Sequence, residues 1–139
     1  MASNPDAIQK NHSSGVWEIH PRDTNPQVPW LPDPWVLHTG FDAVLTLALY
    51  EDGETLLDLS SGYTATVVLR DDFGATALET LTESAGIALS AGTTGKNFVA
   101  TLTVAMIAAY TFTRAVFEVT LTTGGTAVLH LRGGAVRMV

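Results

Sequence analysis

The residue types able to do chemistry are few in this sequence and poorly spaced for it. Four histidines occur, His12, His20, His38 and His130. No two share the HxH or HExxH spacing by which close ligand pairs mark a zinc site. The chain has no cysteine, which removes thiolate nucleophiles, thiolate metal ligands and disulfides together. Glu51, Asp52, Glu54 and Asp58 are the densest carboxylate cluster. Oxygen ligands at a turn suit Ca²⁺, but this run lacks the DxDxDG form of a Ca²⁺ loop and reads as a solvated hairpin tip. Glu79 with Glu83, and Asp71 with Asp72, could be matched to the acid and base of a glycosidase, yet no neighbouring residue type buries or raises either pair. There is no GxSxG, and Gly92 and Gly95 lead into Lys96-Asn97 rather than the Lys-Ser/Thr of a P-loop. The sequence therefore predicts no catalytic residue, no metal and no cofactor: a non-enzyme whose work is assembly or binding.

The elements that would carry such a function are strands. Residues 63–70 (YTATVVLR), 98–104 (FVATLTV), 115–123 (AVFEVTLTT) and 126–132 (TAVLHLR) alternate apolar with Thr or charged residues. Period-two alternation buries one set of side chains and leaves the other in water. Runs of this kind about ten residues apart, cut by Gly-bearing turns, predict an all-β antiparallel β-sandwich of about seven to eight strands. A strand along Phe41, Ala43, Leu45, Leu47 and Leu49 opens it. Asp71-Asp72-Phe73-Gly74 is a turn, and Gly124-Gly125 a two-residue hairpin loop, because primed turns need positive φ. Gly133-Gly134 is expected to kink or bulge the last strand. One short helical turn is predicted over Val104–Ala109, capped by Thr103 and closed by Tyr110.

Residues 1–40 differ from the domain formed by residues 41–139. They hold all six prolines and all three tryptophans, Trp17, Trp30 and Trp35. Closely spaced prolines favour an extended path, and a covered Trp buries on the order of 200 Å². This reads as an extended N-terminal arm laid along a surface, its own sandwich or a neighbour's, with Trp17, Trp30 and Trp35 as the expected partner-binding residues. Its deletion is then expected to leave a folded sandwich that no longer assembles.

Composition points the same way. With 46% hydrophobic but 15% charged residues, against roughly 25% charged in ordinary soluble domains, some surface should be covered by other subunits. A net charge of −7 with scattered arginines lacks the basic patch that phosphate neutralisation needs, so nucleic acid is not an expected partner. The longest apolar run, residues 104–110, is far short of the roughly twenty residues of a membrane helix. The first residues lack a basic stretch followed by an apolar one, so the expectation is synthesis in the cytoplasm without a signal peptide.

The order of features from Asp58 onward, DLSSGYTATVVLR, then GIALS, then FVATLTVAMIAAYTF, then AVFEVTLTTGGTAVLHLRGGAVRMV, resembles the small β-sandwich at the N-terminus of siphophage upper baseplate proteins and in short minor tail proteins of actinobacterial phages. Asp58, Leu59, Gly62, Thr64, Ala65, Leu69 and Arg70 match its opening strand. Gly86, Ile87, Leu89, Leu102 and Thr103 match its middle, and Gly134, Val136 and Val139 its close. The chain departs from the pattern at residues 115–119 (AVFEV), where the family commonly has a Tyr/Phe-Asp stretch, and the Pro/Trp arm has no counterpart. The resemblance implies a virion structural protein of a bacteriophage tail tip or baseplate, made in the host cytoplasm, whose partners are other tail proteins and copies of itself. Two alternatives remain at this point. One is a carbohydrate-binding module for host cell-wall glycans, using Trp30, Trp35, Tyr63 and Tyr110. The other is a capsid decoration protein.

Overall fold

The computed structural model describes residues 8–11, 16–19, 31, 33–50, 55–92 and 95–138. In chain order the elements are β1 (Ile8–Asn11), β2 (Val16–Ile19), β3 (Trp35–His38), β4 (Ala43–Leu49), β5 (Tyr63–Arg70), β6 (Ala77–Thr82), β7 (Ile87–Leu89), β8 (Phe98–Leu102), α1 (Val104–Ala109), β9 (Arg114–Thr123) and β10 (Thr126–Met138). They form a β-sandwich of two five-stranded sheets, ordered β1-β2-β4-β8-β7 and β3-β10-β9-β5-β6.

The alternation read from the sequence is the alternation of burial. Ala65, Val67 and Leu69 of β5, Phe98, Ala100 and Leu102 of β8, and Ala115, Phe117, Val119 and Leu121 of β9 face inward as one apolar cluster between the sheets. The intervening Thr and charged side chains face out, because a one-residue slip would expose the entire inner row.

Turn chemistry sets the connections. Gly124 and Gly125 both adopt positive φ, +58° and +79°, and join β9 to β10 in a two-residue loop whose twist suits the hairpin. Asp72 Oδ1 accepts the Phe73 N–H at 2.8 Å and Asp72 O accepts from Ala75, closing the turn before β6. Thr103 caps α1 by accepting the Met106 N–H at 3.3 Å, and the Tyr110 N–H returns to Ile107 O. Ile107 carries the helix into the core.

Three findings depart from the sequence reading. First, Ile8–Asn11, Val16–Ile19 and Trp35–His38, within the segment read as an extended arm, form β1, β2 and β3 in these two sheets, so the described residues hold ten strands where about seven to eight were expected. Second, the added strands join in parallel, β2 against β4 and β3 against β10, so the sheets are antiparallel except at these two ladders. Third, Gly133-Gly134 does not bulge β10. The ladder passes through Gly133↔Phe117 and Gly134↔Val116 in register, and the irregularity lies between Ala127 and Leu129. The reason for glycine at 133 is proximity, since a Cβ there would stand 2.6 Å from Phe117 Cζ.

Candidate interaction surface

The three tryptophans are the residues the sequence singles out, and the structure uses two of them internally. β2 alternates Val16 and Glu18 outward with Trp17 and Ile19 inward, and β3 turns Trp35 and Leu37 inward with Val36 and His38 out. Trp17 is 7% and Trp35 6% exposed. Trp35 meets Phe117 edge-on, with ring centroids 5.5 Å apart at 77°, the arrangement that sets the positive ring edge against the negative face. Its Nε1 is buried without a hydrogen-bond partner, so the indole is seated by shape. Leu31 joins it in the core, and the Leu31 N–H donates to Arg132 O at 2.8 Å. Trp30 lies outside the described residues.

The outer face of the β10-β9-β5 sheet carries a charge cluster. Glu118 of β9 stands between Arg70 of β5 and His130 and Arg132 of β10. Arg70 Nε donates to Oε1 at 3.2 Å, His130 Nε2 lies 3.0 Å from Oε2, and Arg132 Nε lies 3.3 Å from the same oxygen as an ion pair without hydrogen-bond alignment. Burial works against the Glu118 charge, but the hydrogen bonds from His130 and Arg70 and the positive charges of Arg132 and His130 together outweigh it and hold the carboxyl below the ordinary glutamate range. Arg70 Nη1 also donates to Ala75 O, and the Arg132 guanidinium stacks 4.8 Å above the Phe73 ring, so the cluster fastens the 71–74 turn to the sheet. A single carboxylate gripped by three basic side chains makes a clamp. No sequence signal marks this cluster, because it is drawn from three strands and forms only through their register.

The other sequence candidates separate. Asp58 accepts from the Ser60 Oγ at 2.6 Å and the Ser60 N–H at 2.9 Å, and those bonds lower its pKa. It serves the turn before β5, while Glu51, Asp52 and Glu54 lie outside the described residues. Glu79 accepts from the Tyr110 hydroxyl at 2.9 Å, and Tyr110 stacks on Phe112. Burial and then Glu79 push the Tyr110 phenol above its usual range. Glu83 accepts the Ala65 N–H instead, so Glu79 and Glu83 are not paired. Asp71 and Asp72 are exposed in their turn. His38 and His130 sit on outward strand positions, and His12 and His20 lie outside the described residues. Among the described residues no group of three or more His, Asp or Glu is placed to hold a metal ion, and no helix is long and apolar enough to cross a membrane.

One functional-looking polar residue was missed from the sequence. Asn97, just before β8, is 1% exposed. Its Oδ1 accepts the Leu49 N–H at 2.8 Å, and its Nδ2 donates to Leu49 O at 2.9 Å and Leu57 O at 2.8 Å. It ties the end of β4 to the 55–59 segment, beside the backbone bond from the Leu57 N–H to Leu49 O at 2.9 Å. Exposed apolar side chains remain at Val36, Phe41, Val44, Leu78, Val104, Val128 and Met138. Neither a family model nor a curated protein matches this chain, so the site stands on its own geometry.

Proposed function

We propose that the protein is a non-catalytic virion assembly subunit of a bacteriophage tail tip or baseplate, linking the tail to fibres or receptor-binding proteins through contacts with other tail proteins and with copies of itself. The observation that carries the reading is the ordered set of residues that resembles the baseplate sandwich, four of which have a turn or cap task in this fold. Asp58 closes the turn into β5, Gly62 has a φ of +81°, and Gly86 has a φ of +107° where a Cβ would meet Leu81 at 2.7 Å. Thr103 caps α1. Residues tied to turns and caps are the ones a shared fold would retain in order.

The low charge fraction and the exposed apolar side chains support an assembly role. The glycan-binding alternative asks for an exposed aromatic platform. Trp35 is buried, and Tyr63 and Tyr110 are packed partly against the core, so the described residues among those expected to stack on sugar favour scaffold instead. Immunogold labelling of purified virions with antibody to this chain tests the proposal. Gold at the tail tip is the expected result. Gold on the head would move the protein to capsid decoration, and no gold on any particle would end the virion reading.

A further inference from the structure

We propose that β1–β3 are exchangeable strands, docking into the sandwich of a second copy of this chain, with residues 39–42 as the hinge. The first reason is topological. β2 pairs with β4 and β3 with β10, both at sheet edges, so withdrawing them leaves β4-β8-β7 and β10-β9-β5-β6 uninterrupted. What is withdrawn is a detachable module that binds by strand addition, with backbone bonds for affinity and alternate side-chain seats for specificity.

The second reason is the seat itself. Trp17, Ile19, Trp35 and Leu37 fill the core, so a slot without them is a large apolar opening. A second copy of this chain carries side chains of matching shape and order. Packing given up within one copy is regained between two, which reduces the free-energy difference to the hinge and the association entropy.

The third reason is the hinge. β3 and β4 belong to opposite sheets, and the chain reverses between them in four residues. The turn itself is closed by the Phe41 N–H donating to His38 O at a long 3.2 Å, while its two ends are fixed by the Thr39 N–H on Met138 O at 3.0 Å and by Asp42 Oδ1 accepting the Val104 N–H at 2.9 Å. Gly40 sits at φ +93° with open space around it, and glycine passes from there to an extended path at little cost. Phe41 is 69% exposed, an apolar ring left in water by the closed hinge. Short hinge loops of this type favour exchange. The inference explains how two tryptophans buried within their own sandwich can also hold a neighbour. It does not depend on where in a virion the protein sits.

The absence of cysteine makes the test clean. Val36 and Val136 are register partners on the outer face of the β3–β10 ladder. A Val36→Cys chain and a tagged Val136→Cys chain are unfolded, refolded together at high concentration and oxidised. Exchange predicts the mixed disulfide in clear excess over both homodimers, because only β3 of one copy seated on β10 of the other aligns the two thiols. The Val36→Cys/Val136→Cys double variant checks the ladder. If it closes within one chain while the mixture gives no excess of mixed disulfide, strands stay with their own copy and the proposal is overturned. If the double variant fails to cross-link at all, the register is wrong and the proposal falls with it. Deleting Gly40 and Phe41, which prevents the reversal, should raise the dimer fraction severalfold by light scattering. A deletion variant that stays monomeric and folded would also overturn it.

Discussion

The two ways strands are added to this sandwich differ in kind. β9 and β10 are consecutive, joined by two glycines, and pair antiparallel from Thr123↔Thr126 to Arg114↔Val136. β3 pairs with the far end of the same β10 from the opposite end of the chain, in parallel and over four residues. The hairpin is specified locally, by a turn whose two positive-φ glycines bring its strands together. The parallel ladder has no turn to fix it and is specified by what its side chains fill, Trp35 against Phe117 and Leu37 in the core. Closing so long a loop is entropically costly and slow. The contrast separates a framework whose pairing is set by its own turns from a segment held by its seat.

Removing that segment is the largest perturbation available. Each buried Trp covers on the order of 200 Å², worth up to about 5 kcal/mol at 25 cal/mol per Å². Deleting residues 1–38 removes Trp17, Ile19, Leu31, Trp35 and Leu37 from the core, comparable to the roughly 5–15 kcal/mol that holds a domain folded. The expected outcome is loss of a cooperative transition in thermal unfolding. A truncated chain that melts sharply near the full-length temperature would show that residues 43–138 stand alone, the outcome expected if the segment were an appended arm. On a smaller scale, Trp35→Ala should cost about 3–5 kcal/mol, read as a lower urea midpoint.

The same contrast explains what the sequence could and could not reveal. Strand β5, helix α1 with its Thr103 cap, and the Gly124-Gly125 loop were legible because each is set by residues within a few positions of itself. The strands in residues 1–40 were not, because four-residue strands give too little alternation to see, and prolines beside them point to extended chain without naming a partner. Trp17 and Trp35 were recognised as anchors, but their seat is made by residues from distant strands. The Glu118 clamp was invisible for the same reason, since Arg70, Glu118 and His130 meet only through the β5-β9-β10 register. Asn97 was hidden by its neighbours, whose composition is that of an ordinary loop.

Gly133 lies where the two modes of addition meet, on β10 beside Phe117 and Leu31. Gly133→Ala places a methyl 2.6–2.7 Å from the Phe117 ring, which is fully buried and cannot retreat. Overpacking of this sort costs about 1–3 kcal/mol. Phe117→Leu in the same chain should recover part of the loss, so the two effects are expected to be non-additive in a double-mutant cycle. Additive losses would mean that the glycine answers a backbone requirement instead.

The smallest effect belongs to the framework's outer face. Glu118 has a lowered pKa when folded. Its contribution is therefore fully present above the ordinary glutamate value of about 4.3 and is lost as pH falls through the folded value. Glu118→Gln keeps the shape and removes the charge facing Arg70, His130 and Arg132, at an expected cost of about 1 kcal/mol at neutral pH. The difference from the parent should shrink in acid and in high salt, where the pairs are screened. Because β5, β9 and β10 are already joined by backbone ladders, this loss should speed unfolding without releasing β3. Equal acceleration of hydrogen exchange in β3 and β9 would instead show that the clamp also secures the N-terminal seat, erasing the distinction between framework and guest.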